Sequence, residues 1–385
     1  MTDNSLLKNR SSLWALKHMP LTAKAVREVA PVLAGKRLAM CLHVEPKTAA
    51  LLSLLSEAGM EISLTGSPGT TDDAVANDLR DLGINVYTRQ DDDERDHLRN
   101  IEKVLAHDPH LTLDNGADLT VRLIESGVAD HYIGGTEETT TGGIRLREST
   151  EHLPRPVVVI NDSPLKLIVE NEYGVGQSVV QGFMNSTNLM IPGTRAAVLG
   201  YGPCGRGVAD TLAQLGARVS VADTDPIRAL QAILKGHRVG SMTQVLQDAQ
   251  FVFTATGAPG VIGAREIDAF ADGAVIAGVG HFPWEIDAEA LAEATESTVE
   301  YGDGDRRQGI RLKNGKQIVR LDQGRMINLT AALGNPIQAM DLGLTLQARS
   351  LAAIVTGGLE PRVQPVPAEA EHRIATDLVD LLSAQ

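Results

Sequence analysis

Lys166 and Glu170 stand four residues apart in a stretch of helical character, which puts both side chains on one helix face. On an open surface such an ion pair is common and contributes little. Here it follows Asn161-Asp162-Ser163 and precedes Asn171, and three further polar clusters resemble this one in placement. They are Cys41-Leu42-His43, then Leu113-Asp114-Asn115-Gly116-Ala117-Asp118-Leu119-Thr120, then Glu137-Glu138-Thr139-Thr140-Thr141-Gly142. Each lies where an apolar run of strand length stops, and open α/β sheets bind ligands beyond the carboxyl ends of their strands. His281, in Gly280-His281-Phe282, follows such a run as well. Two histidines at strand ends, together with a lysine and carboxylates, are equipment for proton transfer near neutral pH. The run Thr139 to Thr141 beside two acids suits a loop that gives and takes many hydrogen bonds.

The element that positions a cofactor for this chemistry is residues 195–223, RAAVLGYGPCGRGVADTLAQLGARVSVAD. A short apolar run meets Gly200, Gly202 and Gly205 at G-x-G-x-x-G spacing, a helical pattern runs to Gly216, and a second apolar strand ends on Asp223. Gly200 permits the turn, Gly202 lets the backbone approach a pyrophosphate, and Gly205 lets helix and strand pack closely. The helix N-terminus offers N–H groups and a positive dipole end to the phosphates. Asp223 is placed to accept the ribose hydroxyls, which favours NAD over NADP.

A second strand-helix-strand unit, from Arg37 to Thr65, parallels this one, with Gly59 in the place of Gly216 but no glycine triplet. Strand and helix signals then alternate to Gly135, and again from Pro226 to Val279, followed by a hairpin-like piece from Arg311 to Val319 and a helix over 336–356. The expected fold is therefore α/β, with two doubly wound Rossmann-like domains and an NAD-binding parallel sheet. The expected boundaries are a substrate-binding domain of residues 1–172 plus 337–356, an NAD-binding domain of 174–335, and a short C-terminal tail of 357–385. The active site is expected in a cleft that closes about hinges near 173 and 336.

At 385 residues the chain suits two domains, and 43% hydrophobic content provides for real cores. The net charge of −14 comes with no lysine or arginine cluster, which argues against nucleic acid and anionic membranes as partners. Two cysteines, Cys41 and Cys204, make no disulfide framework and fit a reducing compartment. With no signal-like segment at the N-terminus and no apolar span of 18 residues, a cytoplasmic protein is expected. Asp91, Asp92, Asp93 and Glu94 read as a solvated loop that starts a helix. His107 and His110 read as surface residues, and no metal site is expected.

Taken together these residues resemble the S-adenosylhomocysteine hydrolase (adenosylhomocysteinase) family over roughly residues 19–350, as a divergent member. The motifs that carry the resemblance are Glu137-Glu138-Thr139-Thr140-Thr141-Gly142, Asn161-Asp162-Ser163 with Lys166, Asn171 and Tyr173-Gly174, then Gly200-Tyr201-Gly202, Asp225-Pro226-Ile227 with Ala229-Leu230-Gln231, and Gly280-His281-Phe282 with Glu285-Ile286-Asp287. The resemblance implies a tightly held NAD that oxidises a ribose 3′-hydroxyl, loss of the 5′ substituent by elimination, addition of water, and return of the hydride. It implies that Lys166 assists proton removal at the 3′-hydroxyl and that Glu138 holds the ribose hydroxyls. His43 and His281 then serve proton transfers at the 5′ end. Thr139, Thr140, Thr141, Asn171, Asp223, Thr256 and Asn328 would contact NAD with the turn residues Gly200, Gly202, Pro203, Cys204 and Gly205. Arg228, Thr254 and Gly280 complete that cofactor set.

The departures from the family pattern matter as much. Where it has Asp-Asp-Gly-Gly-Asp, this chain has Asp114-Asn115-Gly116-Ala117-Asp118, and the amide of Asn115 cannot take a proton. The carboxylate beside the catalytic lysine is the longer Glu170, and Gly334-Asn335-Pro336 replaces a glycine-histidine-proline segment near the substrate. The family's base-recognising acid falls on Lys47, with Glu45 nearby, and Arg228 replaces an asparagine beside the cofactor acid. The family's C-terminal extension, which enters a neighbouring protomer, is missing, so a homo-oligomer is expected as either dimer or tetramer.

The oxidation half of the machinery is intact, and the changes fall on the later proton transfers and on base recognition. The leading expectation is a nucleoside dehydratase or lyase of a specialised pathway, which eliminates the 5′ substituent without full re-addition of water. The first alternative is a genuine S-adenosyl-L-homocysteine hydrolase that releases adenosine and homocysteine, a reaction of one-carbon metabolism. The second is a catalytically silent NAD-binding regulator, against which the joint retention of Lys166, Glu138, His43 and His281 speaks.

Overall fold

The computed structural model describes residues 7–149, 153–280, 283–302 and 306–384. The chain divides into two compact units, residues 1–167 with 337–385, and residues 168–336. Numbered along the chain, the first unit holds β1 (Arg37–Cys41), β2 (Glu61–Thr65), β3 (Asn85–Val86), β4 (Leu111–Asp114), β5 (Gly134–Glu137) and β6 (Val157–Val159). The second holds β7 (Arg195–Leu199), β8 (Arg218–Ala222), β9 (Arg238–Val239), β10 (Phe251–Thr254), β11 (Ala274–Gly278), β12 (Thr295–Glu300), β13 (Arg307–Leu312) and β14 (Gln317–Leu321). The last strand, β15 (Val363–Pro365), belongs to the first unit.

In the first unit the strands lie in the order β15-β6-β5-β4-β1-β2-β3, every pairing parallel. In the second the order is β12-β13-β14-β11-β10-β7-β8-β9, parallel except for the antiparallel run β12-β13-β14. Each unit thus starts at the middle of its sheet, winds to one edge, then returns to build the other half, in the second unit by passing from β11 to the edge strand β12 and back through β13 to β14. The strand order reverses between β1 and β4 in one unit and between β7 and β10 in the other. Loops leaving two such neighbours diverge to opposite faces, which opens a crevice for a ligand.

Local chemistry explains these elements. β4 and β5 are buried along their whole length, as strands covered on both faces must be. The helices preceding β2 and β8 are each followed by a glycine in the left-handed region, Gly59 at φ 88° and Gly216 at φ 89°, which ends the helix and redirects the chain. The second sheet packs one face on Phe183, Val198, Val208 and Phe253 and the other on Leu199, Val252, Phe270 and Ile276. In the first unit the long helix Ile337–Thr356 packs on the helix Pro20–Leu33, where Asp341 accepts the Leu21 and Thr22 N–H groups.

Three expectations from sequence are revised. Residues 357–385 form no tail apart from the rest, because β15 extends the first sheet and the helix Ala368–Ser383 packs on Ile337–Thr356. The threonine run is no loop: Thr140 and Thr141 open the helix Thr140–Ser149. The stretch Leu167–Gly174 is π-helical, so α-helical spacing does not set the direction of Glu170 relative to Lys166. Asp93 begins the helix Glu94–Leu105 with a reciprocal cap to Asp96, as its acidic loop foretold. No helix among the described residues is long and apolar enough to cross a membrane.

The turn at Gly205 yields a first prediction. A β-carbon there would lie 1.9 Å from the Gly200 carbonyl oxygen, a backbone atom that cannot move aside without opening the turn. Gly205→Ala should lower stability by about 1–3 kcal/mol or more by overpacking. Purified variant should also carry less NAD, read by the nucleotide released on acid precipitation and by the denaturant midpoint.

Candidate active site

In the second unit the glycine turn sits at the reversal between β7 and β10. Gly200 adopts φ 92°, and a β-carbon on Gly202 would meet only the Arg228 guanidinium, at 3.7 Å, so its surroundings are open to a ligand. Gly202 caps the helix Pro203–Gln214, and Pro203, which has no N–H, opens its first turn ahead of Cys204. Asp223 follows β8, with Oδ2 accepting the Tyr201 N–H at 2.6 Å and Oδ1 accepting the Asp225 N–H at 2.8 Å. The carboxylate is thereby fixed in orientation while its remaining lone pairs stay available. Arg228 reaches Asp225 at 3.5 Å and is half exposed.

Further groups gather at the ends of β10 and β11. Thr254 closes β10, and Thr256 donates from its N–H and hydroxyl to Glu285 Oε2. Burial raises the Glu285 carboxyl above its ordinary range, against the pull of those donors. A β-carbon on Gly280 would fall 2.6 Å from Glu285 Oε1, an oxygen buried without a partner among the described residues. Asn328 donates to Ser178 Oγ at 3.3 Å, and its Oδ1 is likewise buried and unpartnered. A buried acceptor left idle is costly, so these two oxygens mark places where a bound polar group is expected. Asn171 lies in the π-helix, half-buried. Asn335 accepts from Ser178 Oγ at 3.1 Å and donates to Glu170 at 3.4 Å, with Glu170 itself buried. Open glycine turn, oriented acid and idle buried acceptors together fit a dinucleotide. His281 lies outside the described residues.

In the first unit, Lys166 and Glu138 meet. Lys166 ends the short helical turn Pro164–Lys166, capped by Ser163, and Glu138 directly follows β5. Their side chains are 4% and 8% exposed, and the ammonium pairs with Glu138 Oε1. Sequence reading missed the third member. Gln347, wholly buried on the helix Ile337–Thr356, donates its amide to Glu138 Oε2. Nothing in the sequence singles it out, because Thr345, Arg349 and Ser350 are polar residues of the same stretch.

The threonines divide their roles. Thr139 donates its hydroxyl to Glu137 and accepts the Gly142 N–H, so it caps the helix that follows. Thr140 accepts from Asn161 at 2.6 Å, and Thr140 and Thr141 are exposed. At the strand-order reversal, after β1 and β4, Asn115 and His43 approach at 3.5 Å. Just beyond, Glu45 caps the helix Pro46–Glu57 and pairs with Lys47 at 3.0 Å, the lysine side chain being 9% exposed. Ala117 stands at φ 66°, a left-handed position unfavourable to a residue with a β-carbon. No cluster of His, Cys, Asp and Glu among the described residues could hold a metal ion.

Fold and site thus define an α/β protein of two doubly wound units, one of them built for a nicotinamide dinucleotide. The family model described as S-adenosyl-L-homocysteine hydrolase matches residues 15–132, and that described as S-adenosyl-L-homocysteine hydrolase, NAD binding domain, matches residues 171–334. The chain is 39% identical to the S-inosyl-L-homocysteine hydrolase of Methanopyrus kandleri, over 94% of this chain and 87% of that protein. It is also 39% identical to the adenosylhomocysteinase of Thermotoga maritima, over 97% of this chain and 94% of that one. The chain belongs to the S-adenosyl-L-homocysteine hydrolase family, and its second unit binds NAD. In fold alone it is similar to a dipicolinate synthase chain from Bacillus halodurans, with a TM-score of 0.51, 15% identity, and 85% and 100% of the two chains covered.

Proposed function

We propose that the protein oxidises the 3′-hydroxyl of a purine nucleoside transiently and removes its 5′ substituent by elimination. The observation that carries the reading is the buried Lys166–Glu138–Gln347 arrangement. Glu138, held from one side by an ammonium and from the other by an amide, is oriented to accept hydrogen bonds from vicinal ribose hydroxyls. Lys166 is then assigned to assist removal of the proton from the 3′-oxygen, acting as the base once its own ammonium proton has passed to solvent. NAD, held by the glycine turn at Gly200, Gly202 and Gly205 and by Asp223, would supply a hydride acceptor for C3′ and, once reduced, a hydride donor for the ketone, so the net reaction would not be a redox one. A 3′-ketone acidifies the C4′ proton; its removal drives the electron pair toward C5′, and the 5′ group departs. His43, steadied by Asn115, is assigned the proton at the 5′ end. Glu170, with Asn335, is assigned a supporting role in the same proton removal, and His281 a proton transfer.

Two fates of the product are compatible with this chemistry. The names of the curated relatives support hydrolysis of an S-nucleosyl-homocysteine thioether, in which water adds at C5′. Asn115 supports the other, a dehydratase or lyase that leaves the 4′,5′ double bond, since an amide in place of a carboxylate removes one proton carrier. Adding a nucleoside to NAD-loaded protein should raise absorbance in the NADH band, and no rise with any purine nucleoside sinks the reading. With S-adenosylhomocysteine or S-inosylhomocysteine, released thiol accompanied by intact adenosine or inosine marks the hydrolase. Loss of water from a free nucleoside, seen by mass spectrometry, marks the lyase. A homo-oligomer belongs to the same proposal, supported by the exposed apolar residues Ile227, Leu230, Ile233 and Leu234 on the helix Pro226–Leu234.

A further inference from the structure

At the β3 edge of the first sheet, a cavity of about 490 Å³ opens between the end of that strand and the helix Glu94–Leu105. Its volume is in the range of small-molecule sites, and the nucleoside chemistry makes no use of it. Four cations line it, Arg80, Arg89, Arg99 and Lys103, against the three carboxylates Asp91, Asp92 and Asp96. That surplus is local, because the whole chain carries a net charge of −14. Two of the carboxylates are spent on the loop and the helix themselves. Asp92 Oδ2 accepts the Arg89 N–H and the Asn100 amide, each at 2.9 Å. Asp96 closes the reciprocal cap with Asp93 and pairs with Arg99. The cations are matched less well. Among the described residues, Arg80, Arg89 and Lys103 make no ion pair. Arg80 is fixed all the same, donating to the Val86 and Thr88 carbonyl oxygens at 3.0 and 2.8 Å and to Asn77 at 2.7 Å. Those partners are neutral, so they orient the guanidinium without cancelling its charge, and each terminal nitrogen keeps an N–H to give. Lys103 is held by the buried Asn100 at 3.3 Å and lies 5.7 Å from the centre of the Tyr87 ring. Cations oriented by neutral groups around a cavity are the arrangement that recognises an anion.

We infer that this cavity binds a small phosphate-bearing molecule, whose phosphate oxygens are held by Arg80, Arg89 and Lys103. The planar fork of an arginine matches phosphate oxygens two at a time, and a lysine adds a point charge. Three unpaired cations suit a dianion better than a single carboxylate or a halide, because each can meet an oxygen that carries charge. The volume leaves room beside the phosphate for the rest of an ester, against Val86 and the Tyr87 ring. A metal ion is not the expected occupant, since no carboxylate cluster among the described residues could hold one.

Calorimetric titration of the NAD-loaded protein with inorganic phosphate and with ribose 5-phosphate tests the site. A phosphate compound should bind saturably, and unphosphorylated ribose should not displace it. Tighter binding of the one or the other supports the inference and identifies the source, the free ion or an ester. The double substitution Arg89→Gln with Lys103→Gln should weaken that binding at least about tenfold, the scale of a lost hydrogen bond between charged groups. Both side chains are exposed and make no ion pair, so NAD content and the denaturant midpoint should stay as they are. Arg80 is left in place because it also ties the end of β3. Amide hydrogen exchange over residues 86–103 should slow with phosphate in the native protein and not in the variant. No saturable binding of either compound, binding unchanged in the double variant, or protection confined to other segments overturns the inference. No step of this test passes through NADH formation, so its outcome is independent of the proposed reaction.

Discussion

Lys166→Met should abolish the NADH signal on nucleoside addition and cut turnover by about 10²–10⁴-fold, the contribution of a positioned acid–base group. The substitution keeps much of the side chain's volume, and binding of the nucleoside should weaken far less than turnover, because Glu138 remains to hold the ribose hydroxyls. A stability effect comes with it. Lys166 is 3% exposed and Glu138 6%, so the change strands a buried carboxylate with only the Gln347 amide and the surrounding peptide groups. Breaking one half of a buried pair costs about 3–5 kcal/mol, whereas removing both charges is often neutral. The double substitution Lys166→Met with Glu138→Gln should therefore recover most of the denaturant midpoint and none of the NADH signal. Recovery of NADH formation in the double variant, or full turnover in the single one, would remove Lys166 from the chemistry.

What the sequence made legible is what short-range spacing determines. The glycine triplet, the strand before it and the acid after it sit within one continuous stretch, and each residue type is dictated by a local steric or dipolar need. Gly59 and Gly216 are of the same kind, since a left-handed helix stop calls for a residue without a β-carbon. The shared strand order of the two sheets depends on pairings such as β1 with β4, whose partners Leu38 and Leu111 are far apart in the chain. No periodicity records that pairing. Gln347 illustrates the same limit for the site, because its partner Glu138 is 209 residues away. The threonines misled for a different reason. β-Branched hydroxyl residues suit loops and helix starts alike, and only Glu137, which fixes Thr139 as a cap, decides between them. The π-helix over Leu167–Gly174 escaped notice because one inserted residue per turn scarcely alters an apolar pattern.

Glu137 carries the other large effect expected of a single substitution. It is fully buried at the end of β5 and accepts four hydrogen bonds, from the Gly116, Ala117 and Thr139 N–H groups and from the Thr139 hydroxyl. Those bonds tie the loop that presents Asn115 to the start of the helix Thr140–Ser149, and they hold Ala117 in its left-handed conformation. Gly142 fits the same design, since a β-carbon there would fall 2.2 Å from Glu137 Oε1. Glu137→Ala leaves those donors buried without an acceptor, at about 1–3 kcal/mol for each that water cannot reach, so a loss of about 3–5 kcal/mol is expected. The pH dependence should change too. Burial, then the neighbouring Asp114 carboxylate, raise Glu137 above 4.5, and burial raises Asp114 above 3.8. A carboxyl raised in this way binds its proton more tightly folded than unfolded. Its contribution is fully present below the unfolded pKa and is lost as the pH rises through the folded one. The native protein should therefore lose stability from this pair between about pH 5 and about pH 8, and Glu137→Ala should show a shallower decline over the same interval. Denaturant midpoints at both ends of that interval decide the matter. A variant as stable as the native protein, or one with the same slope against pH, would show that the loop at Asn115 is held by something other than this carboxylate.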